Sequence, residues 1–333
     1  ALLRSVLCDD AKPSHGPCDE DGLHPSLEQW DADPFGLHGP GAVAEGETGL
    51  SKWLFDPIAG INQQIYSYLP EDFRNRITSV DDPRIAALGE LVSSFQVSRT
   101  SRLAVVPKDF RGHRLICIEP KELQFAQQGL MRVLYDITHR HFLTRRSIDF
   151  RDQSKSMKLA RRLEFSTIDL KDASDTISLE LGRLLFPRRF FKLITKYRSG
   201  FVEVNGESHL LGVLATMGSG LCFPLETLIF WSLALATILH KDGFRPSDVF
   251  DSTKTRRIAT YHLRVFGDDI IVPHIYAAIV VKTLEECGFI VNANKTCING
   301  LAREACGSWY YNREDVRIIR FKTARRVLAQ NWL

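Results

Sequence analysis

The stretch Arg264-Val265-Phe266-Gly267-Asp268-Asp269-Ile270-Ile271-Val272 sets two β-prone apolar runs on either side of a Gly-Asp-Asp. The pattern predicts a tight β-hairpin with Gly267 in the turn. Two adjacent carboxylates are then carried at the tip of strands whose side chains call for burial. Such charges repel, and burial adds to the cost, so a chain keeps the pair mainly where divalent cations neutralise it. The alternative is a solvated turn. A lone Gly-Asp-Asp leaves both open, and the surrounding chain must supply, or fail to supply, the other parts of a metal-dependent site.

Downstream, residues 275–287 have the period of an amphipathic helix stopped by Gly288. A strand, Phe289-Ile290-Val291, leads into Asn292-Ala293-Asn294-Lys295-Thr296, and Arg303-Glu304-Ala305-Cys306-Gly307-Ser308-Trp309-Tyr310-Tyr311 sets aromatics beside cations. Upstream, Leu221 to Leu239 is almost wholly apolar but holds Pro224 and Glu226 and is barely long enough to span a membrane. A buried core helix fits better. It follows a Gly-rich turn, Thr216-Met217-Gly218-Ser219-Gly220, whose glycines let backbone approach a ligand closely.

Further upstream, Leu163 to Leu170 reads as a strand with Asp169 at its end, followed by Lys171-Asp172-Ala173-Ser174-Asp175-Thr176-Ile177-Ser178. Ser174 or Asp175 is a fair helix N-cap. An Asp leaving a buried strand suits a metal, and a second acid one turn on can reach the same pocket, although Asp at strand ends is common. Leu103-Ala104-Val105-Val106 and Leu115-Ile116-Cys117-Ile118 imply another hairpin, with Lys108, Arg111 and Arg114 near its tip. These cations are either idle surface or a clamp for a triphosphate. A helix over about 121–143 follows.

The 333 residues, 44% hydrophobic and 25% charged, are ordinary for a soluble globular protein with room for a large core. Seven cysteines without a Cys-x-x-Cys argue against a zinc site or disulfide framework and for a reducing, cytosolic setting. No signal peptide is evident. Because the chain does not begin with Met, a fragment or processed product is expected. Residues 1–50 carry Arg4 and Lys12 against ten carboxylates, so the rest of the chain holds +11 within the net +3. Residues 140–162 alone contain eight Arg or Lys, which is either a solvated face or a surface for a polyanion. Residues 11–51 read as a long loop or arm, and 52–98 as short helical patterns broken at Pro57, Pro70 and Pro83.

Taken in order, these parts resemble the catalytic core of a viral RNA-dependent RNA polymerase, and more closely the replicase subunit of the leviviruses, the Qβ-like single-stranded RNA phages. Five stretches carry the likeness across about 102–321: Val106-Pro107-Lys108-Asp109 through Ile118-Glu119-Pro120; Ile168-Asp169-Leu170 through Ser178; Thr216-Met217-Gly218 through Leu225-Glu226 and Phe230-Trp231; Gly267 through Ile271; and Arg303 through Gly307. Gly39-Pro40-Gly41-Ala42 also resembles an N-terminal loop of the family. Ser219 stands where many members have Asn, and Pro224 where an acidic residue is commoner. Only 64 residues follow Asp269, fewer than the family's thumb needs.

The resemblance implies an α+β right-hand polymerase with fingers and a palm (an antiparallel sheet backed by helices) and a thumb that is short or missing. Its parts would be an N-terminal arm and fingers elements at 1–101, a basic fingers hairpin and helix at 102–154, the catalytic palm at 155–301, and the start of a truncated thumb at 302–333. Asp169 and Asp268, with Asp269 beside them, would hold two Mg2+ ions, or Mn2+. Lys108, Arg111 and Arg114 would bind the nucleotide; Asp175, Thr216, Gly218 and Ser219 would contact or check its ribose; Lys295 would protonate pyrophosphate; and the 140–162 cluster would contact RNA. Implied partners are RNA template and product, NTPs, the host elongation factors EF-Tu and EF-Ts and a ribosomal protein, without a membrane, in the cytoplasm of an infected bacterium. The rival readings are a reverse transcriptase, disfavoured by Gly267 and Asp175, and an RNA-binding replicase fragment that does not elongate.

Overall fold

The computed structural model describes residues 2–8, 22–32, 36–39, 41–48, 52, 99–109, 112–244 and 252–316. In chain order these form helices α1 (Leu2–Leu7) and α2 (Pro25–Ala32), a hairpin of β1 (Thr100–Asp109) and β2 (Gly112–Ile118), and α3 (Lys121–Arg140) and α4 (Ser154–Ala160). Strands β3 (Phe165–Ile168) and β4 (Leu170–Lys171) lead to α5 (Ala173–Thr176), α6 (Leu179–Leu185) and α7 (Arg188–Lys196), then a second hairpin, β5 (Phe201–Val204) and β6 (Glu207–Leu210). Helices α8 (Cys222–Lys241) and α9 (Ser252–Tyr261) precede β7 (Arg264–Phe266), β8 (Asp269–Pro273), α10 (His274–Glu286), β9 (Ile290–Val291), β10 (Ala302–Ala305), β11 (Ser308–Tyr311) and β12 (Glu314–Asp315).

The Gly-Asp-Asp stretch does form a hairpin. Phe266 pairs with Asp269 across a two-residue turn, and Gly267 takes φ +63° at its first position, as a type II′ turn requires. β8 becomes the middle of an antiparallel sheet in the order β3-β8-β7. Both its faces are covered, which is why Ile270-Ile271-Val272 is a continuous apolar run. Alternation sends Ile168, Ile270 and Val272 into the main core on the side of α8 and α10. Phe165 and Ile271 point the other way, into a smaller cluster with Ala160 of α4, Ala305 and Tyr310.

Helix α8 is the apolar centre of the main core and is buried along most of its length, as its sequence predicts. Although long and apolar enough to cross a membrane, it is wrapped by the rest of the chain. Its buried hydroxyls bond back to its own carbonyls: Thr227 to Phe223, Ser232 to Ile229 and Thr237 to Leu233. Pro224 sits in the first turn, where a backbone N–H would have no helical partner, so it interrupts nothing.

A four-stranded sheet, β2-β1-β5-β6, is separate from the β3-β8-β7 sheet, with β1 and β5 parallel. It carries the basic hairpin. The region read as a featureless arm contains α2, whose Leu27 and Trp30, three residues apart, are buried. Its acids pair with α7, Glu28 with Arg189 at 3.3 Å and Asp31 with Lys196 at 2.8 Å, which gives part of the acidic N-terminal segment a partner inside the chain. The expected helix over 121–143 ends at Arg140. The expected N-cap at Ser174 or Asp175 moves to Ser178, whose hydroxyl accepts from Leu181 N; Asp172, with φ +48°, opens the single turn α5. Pro57, Pro70, Pro83 and residues 317–333 lie outside the described residues.

Candidate active site

Strand parity builds the site. Thr167 and Asp169 share one face at the end of β3, and Asp269 and Ile271 share the same face of β8. β10 and β11 cover that face. Glu304 N donates to Thr167 Oγ1 at 3.3 Å, and Cys306 N donates to Asp269 Oδ2 at 2.9 Å. Carboxylate oxygens of Asp169, Asp269 and Glu304 thereby lie within 4.8 Å of one another. Asp268, one residue earlier in the turn, falls outside this triad, though Asp169 still acts on it as a neighbouring charge. The tightest group among the described residues joins Asp169 with Asp269 and a third acid, Glu304, that sequence reasoning missed, while Asp268 stays within electrostatic reach of Asp169. Glu304 stands among aromatics and cations, whose local pattern gives no sign of the sheet it covers.

The acids are held under electrostatic stress. Burial, then the charges of Asp268 and Glu304, push Asp269 up to about 7. Burial and Asp169 raise Asp268, and burial raises Glu304. Carboxylates of this kind, gathered and reluctant to ionise together, fit a hard divalent cation, which prefers oxygen ligands and would relieve the repulsion.

Asp169 is fixed from several sides. Asn292 Nδ2 donates to Oδ2 at 2.7 Å, Asn292 N donates to its carbonyl at 2.9 Å, and its own N–H donates to Thr296 Oγ1 at 3.1 Å. Lys295 Nζ lies 3.1 Å from Asp169 Oδ1 and 3.9 Å from Glu304 Oε2. Burial opposes its charge, but these carboxylates outweigh it and hold the ammonium above its ordinary range. Behind the triad, Arg303 is buried and gives its guanidinium to four carbonyls, those of Leu163 at 3.0 Å, Phe165, Gly300 at 3.0 Å and Ala302 at 2.6 Å. It locks β10 to the approach of β3.

The Gly-rich turn sits against the basic hairpin. Gly218, at φ +116°, packs on the Cys117 carbonyl so closely that a Cβ would overlap it, and Cys117 N donates to Met217 O at 2.8 Å. Thr216 is buried beside the Cys117 thiol. Ser219 turns inward: its hydroxyl donates to Gln127 Oε1 at 3.0 Å and accepts from Leu221 N at 3.2 Å. These contacts help start α8 and dock it on α3. Arg198 secures the preceding loop by donating to the carbonyls of Leu211, Val213 and Leu214.

Arg114, exposed on β2, acts as a neighbouring charge on both Asp175 and Asp268. Arg114 thus brings a cation of the hairpin within electrostatic reach of the acidic site. Lys108 lies in β1, but its side chain is outside the described residues, as is all of Arg111. In the 140–162 cluster, Arg151 pairs with Asp136 at 2.6 Å, Lys155 with Asp149, and Arg162 with Glu164 at 3.8 Å, and Arg161 donates to Arg313 O. Arg140, Arg145, Arg146 and Lys158 are exposed.

An antiparallel sheet backed by helices, with acids on a β-hairpin beside a strand-end Asp and a cationic hairpin nearby, defines the class: an α+β fold of the right-hand type. The chain belongs to the RNA replicase beta-chain family, whose model matches residues 74–330. It is 33% identical to the RNA-directed RNA polymerase beta chain of Escherichia phage MS2, over 64% of this chain and 36% of that protein. It is 35% identical to the beta subunit from Enterobacteria phage SP (84% and 44%) and 29% identical to the beta chain from Enterobacteria phage fr (92% and 57%). The chain therefore spans between about a third and just over half the length of these relatives. Among solved structures, the RNA-dependent RNA polymerase of a human picobirnavirus is similar with a TM-score of 0.43 and 16% identity, over 64% of this chain and 43% of that one.

Proposed function

We propose that this chain carries the catalytic palm and part of the fingers of an RNA-directed RNA polymerase, extending RNA with NTPs on an RNA template. The observation that carries the reading is the convergence of Asp169, Asp269 and Glu304, with Arg114 within electrostatic reach of the site. Asp169, Asp269 and Glu304, with Asp268 beside them, would hold magnesium or manganese. Two such ions, when bound, lower the pKa of an attacking RNA 3′-hydroxyl and stabilise the charge on a leaving pyrophosphate. The protein's own part is positioning and charge. Arg114, with Lys108 and Arg111 on the same hairpin, neutralises the triphosphate. Asp175 accepts from the ribose 2′-hydroxyl, and a deoxy substrate would leave that acceptor unpaired. Gly218 brings backbone against the hairpin, and Thr216 fixes the loop. Lys295 balances the charge on Asp169 and is a proton donor beside the acids.

The palm in this reading runs from 155 and includes β10 and β11, because they pack on β3 and deliver Glu304. The exposed cations of the 140–162 cluster contact RNA. Family membership supports elongation factors and a ribosomal protein of the host as partners, in the cytoplasm of an infected bacterium. The test is primer extension on an RNA template with Mg2+ or Mn2+, offering NTPs and dNTPs separately, with Asp269→Asn as control. Metal-dependent NTP incorporation is expected. Preferential use of dNTPs would favour a reverse transcriptase, and RNA binding without extension would reduce the chain to a binding fragment.

A further inference from the structure

The Gly-Asp-Asp turn is held from behind by a single hydroxyl. Thr227, wholly buried on α8, donates its proton to Phe223 O at 2.7 Å and accepts from Gly267 N at 2.9 Å. That acceptor matters because Gly267 begins a two-residue turn, where its N–H has no strand partner. The contact is close as well as polar. A Cβ at Gly267 would lie 2.7 Å from the Phe223 ring and 3.1 Å from Glu226 Oε1. Phe223 also packs edge-on against Phe266, with ring centroids 4.9 Å apart. The turn is therefore wedged onto the first two turns of α8, the same helix that begins at the Gly-rich loop and is tied to α3 through Ser219 and Gln127.

We propose that Thr227 is a positioning residue for Asp268 and Asp269: its hydroxyl sets the height and rotation of the hairpin tip relative to α8, so that the acids and the Gly-rich loop keep one geometry. It touches neither substrate nor metal, and acts through Gly267. This deepens the polymerase reading and rests on it for its kinetic part only. An amide bonded to a buried hydroxyl resists exchange, and a carboxylate whose backbone is free to shift is a poorer ligand.

The test compares Thr227→Val, which keeps the shape and removes the hydroxyl, with Thr227→Ser, which keeps the hydroxyl. Three readouts are taken on the full chain: hydrogen exchange at the Gly267 amide, binding of Mn2+ alone, and kcat against KM for NTPs. Thr227→Val should exchange at Gly267 about tenfold faster, bind Mn2+ about tenfold more weakly, and lose kcat with little change in KM. Thr227→Ser should match the parent chain in all three. If the Val variant does not fold, Thr227→Ala carries the same expectations. Unchanged exchange and Mn2+ binding in the Val or Ala variant would overturn the proposal, as would a Ser variant as impaired as the Val variant, or a loss confined to KM. Altered exchange and metal binding in a chain that never incorporates nucleotides would support the role of Thr227 and count against the polymerase reading alone.

Discussion

Lys295 Nζ sits 3.1 Å from Asp169 Oδ1, so a buried acid of the triad meets a lysine held in place 126 residues further along the chain. That ammonium and a divalent cation draw on the same negative charge. Lys295→Met should therefore tighten Mn2+ binding severalfold while lowering the melting temperature of the metal-free chain, since the acids then repel without a counter-charge. Calorimetric titration and thermal melts with and without Mn2+ check this; weaker Mn2+ binding would show that the lysine organises the site more than it competes.

Asp269 sets a pH window. Its carboxyl is pushed from 3.8 up to about 7 in the fold. Between about pH 4 and 7 the metal-free folded chain holds a proton that the unfolded chain has released, so this group's contribution to stability falls as pH rises through that window and levels off above it. Asp269→Asn removes the ionisation. The metal-free variant should melt higher than the parent at pH 8, with the gap shrinking steadily towards pH 4. A gap that grows on acidification would refute the assignment.

The same ionisation couples metal to protons. Mn2+ binding by the parent chain should weaken below pH 7 and release protons into the buffer, because the ligand form of Asp269 is the ionised one. Calorimetry in buffers of different ionisation enthalpy measures the number released. A count of zero at pH 6 would mean that Asp269 stays out of the ligand set.

Among the described residues, Arg303 has only carbonyl partners. Arg303→Met strands them in the interior, at a cost of about 3 kcal/mol in denaturant unfolding. Arg303→Lys should recover little, since an ammonium cannot reproduce the planar fork. Recovery to parental stability by lysine would show that charge, rather than geometry, is what the position requires.

Gly218 has no room for a side chain. Gly218→Ala would drive a methyl into the Cys117 carbonyl and force a φ of +116° on an L-residue. The Gly-rich loop and the basic hairpin should separate, raising the KM for NTPs severalfold while leaving Mn2+ binding at the triad intact. Unchanged KM would place the nucleotide elsewhere.

Much of this architecture was legible because it rests on local pattern. The alternation from Arg264 to Val272, the unbroken apolar run of α8 and the strand-end position of Asp169 each imply their own environment. Glu304 was not legible: nothing in Arg303-Glu304-Ala305-Cys306-Gly307 says which sheet β10 will cover, and only tertiary packing brings it to Asp169. Asn292 was passed over for the same reason, because its role depends on β9 lying beside β4. Asp268 and Asp269 are legible as a pair, but which of them stands nearer Glu304 depends on parity across the two-residue turn. The docking contact of Ser219 was hidden too, because its partner, Gln127, lies 92 residues away on α3. α2 was hidden among turn-forming residues that outnumbered its two buried anchors.

β8 has one consequence for how such a chain can change over time. With Ile270 and Val272 committed to one side and Ile271 to the other, a slip of a single position would drive Asp269 among the aliphatic side chains around α8 and set an isoleucine against Glu304. The alignment of the reactive groups is thus policed by greasy neighbours that take no part in chemistry. Insertions or deletions inside this strand should be lethal to the fold before they are lethal to the reaction.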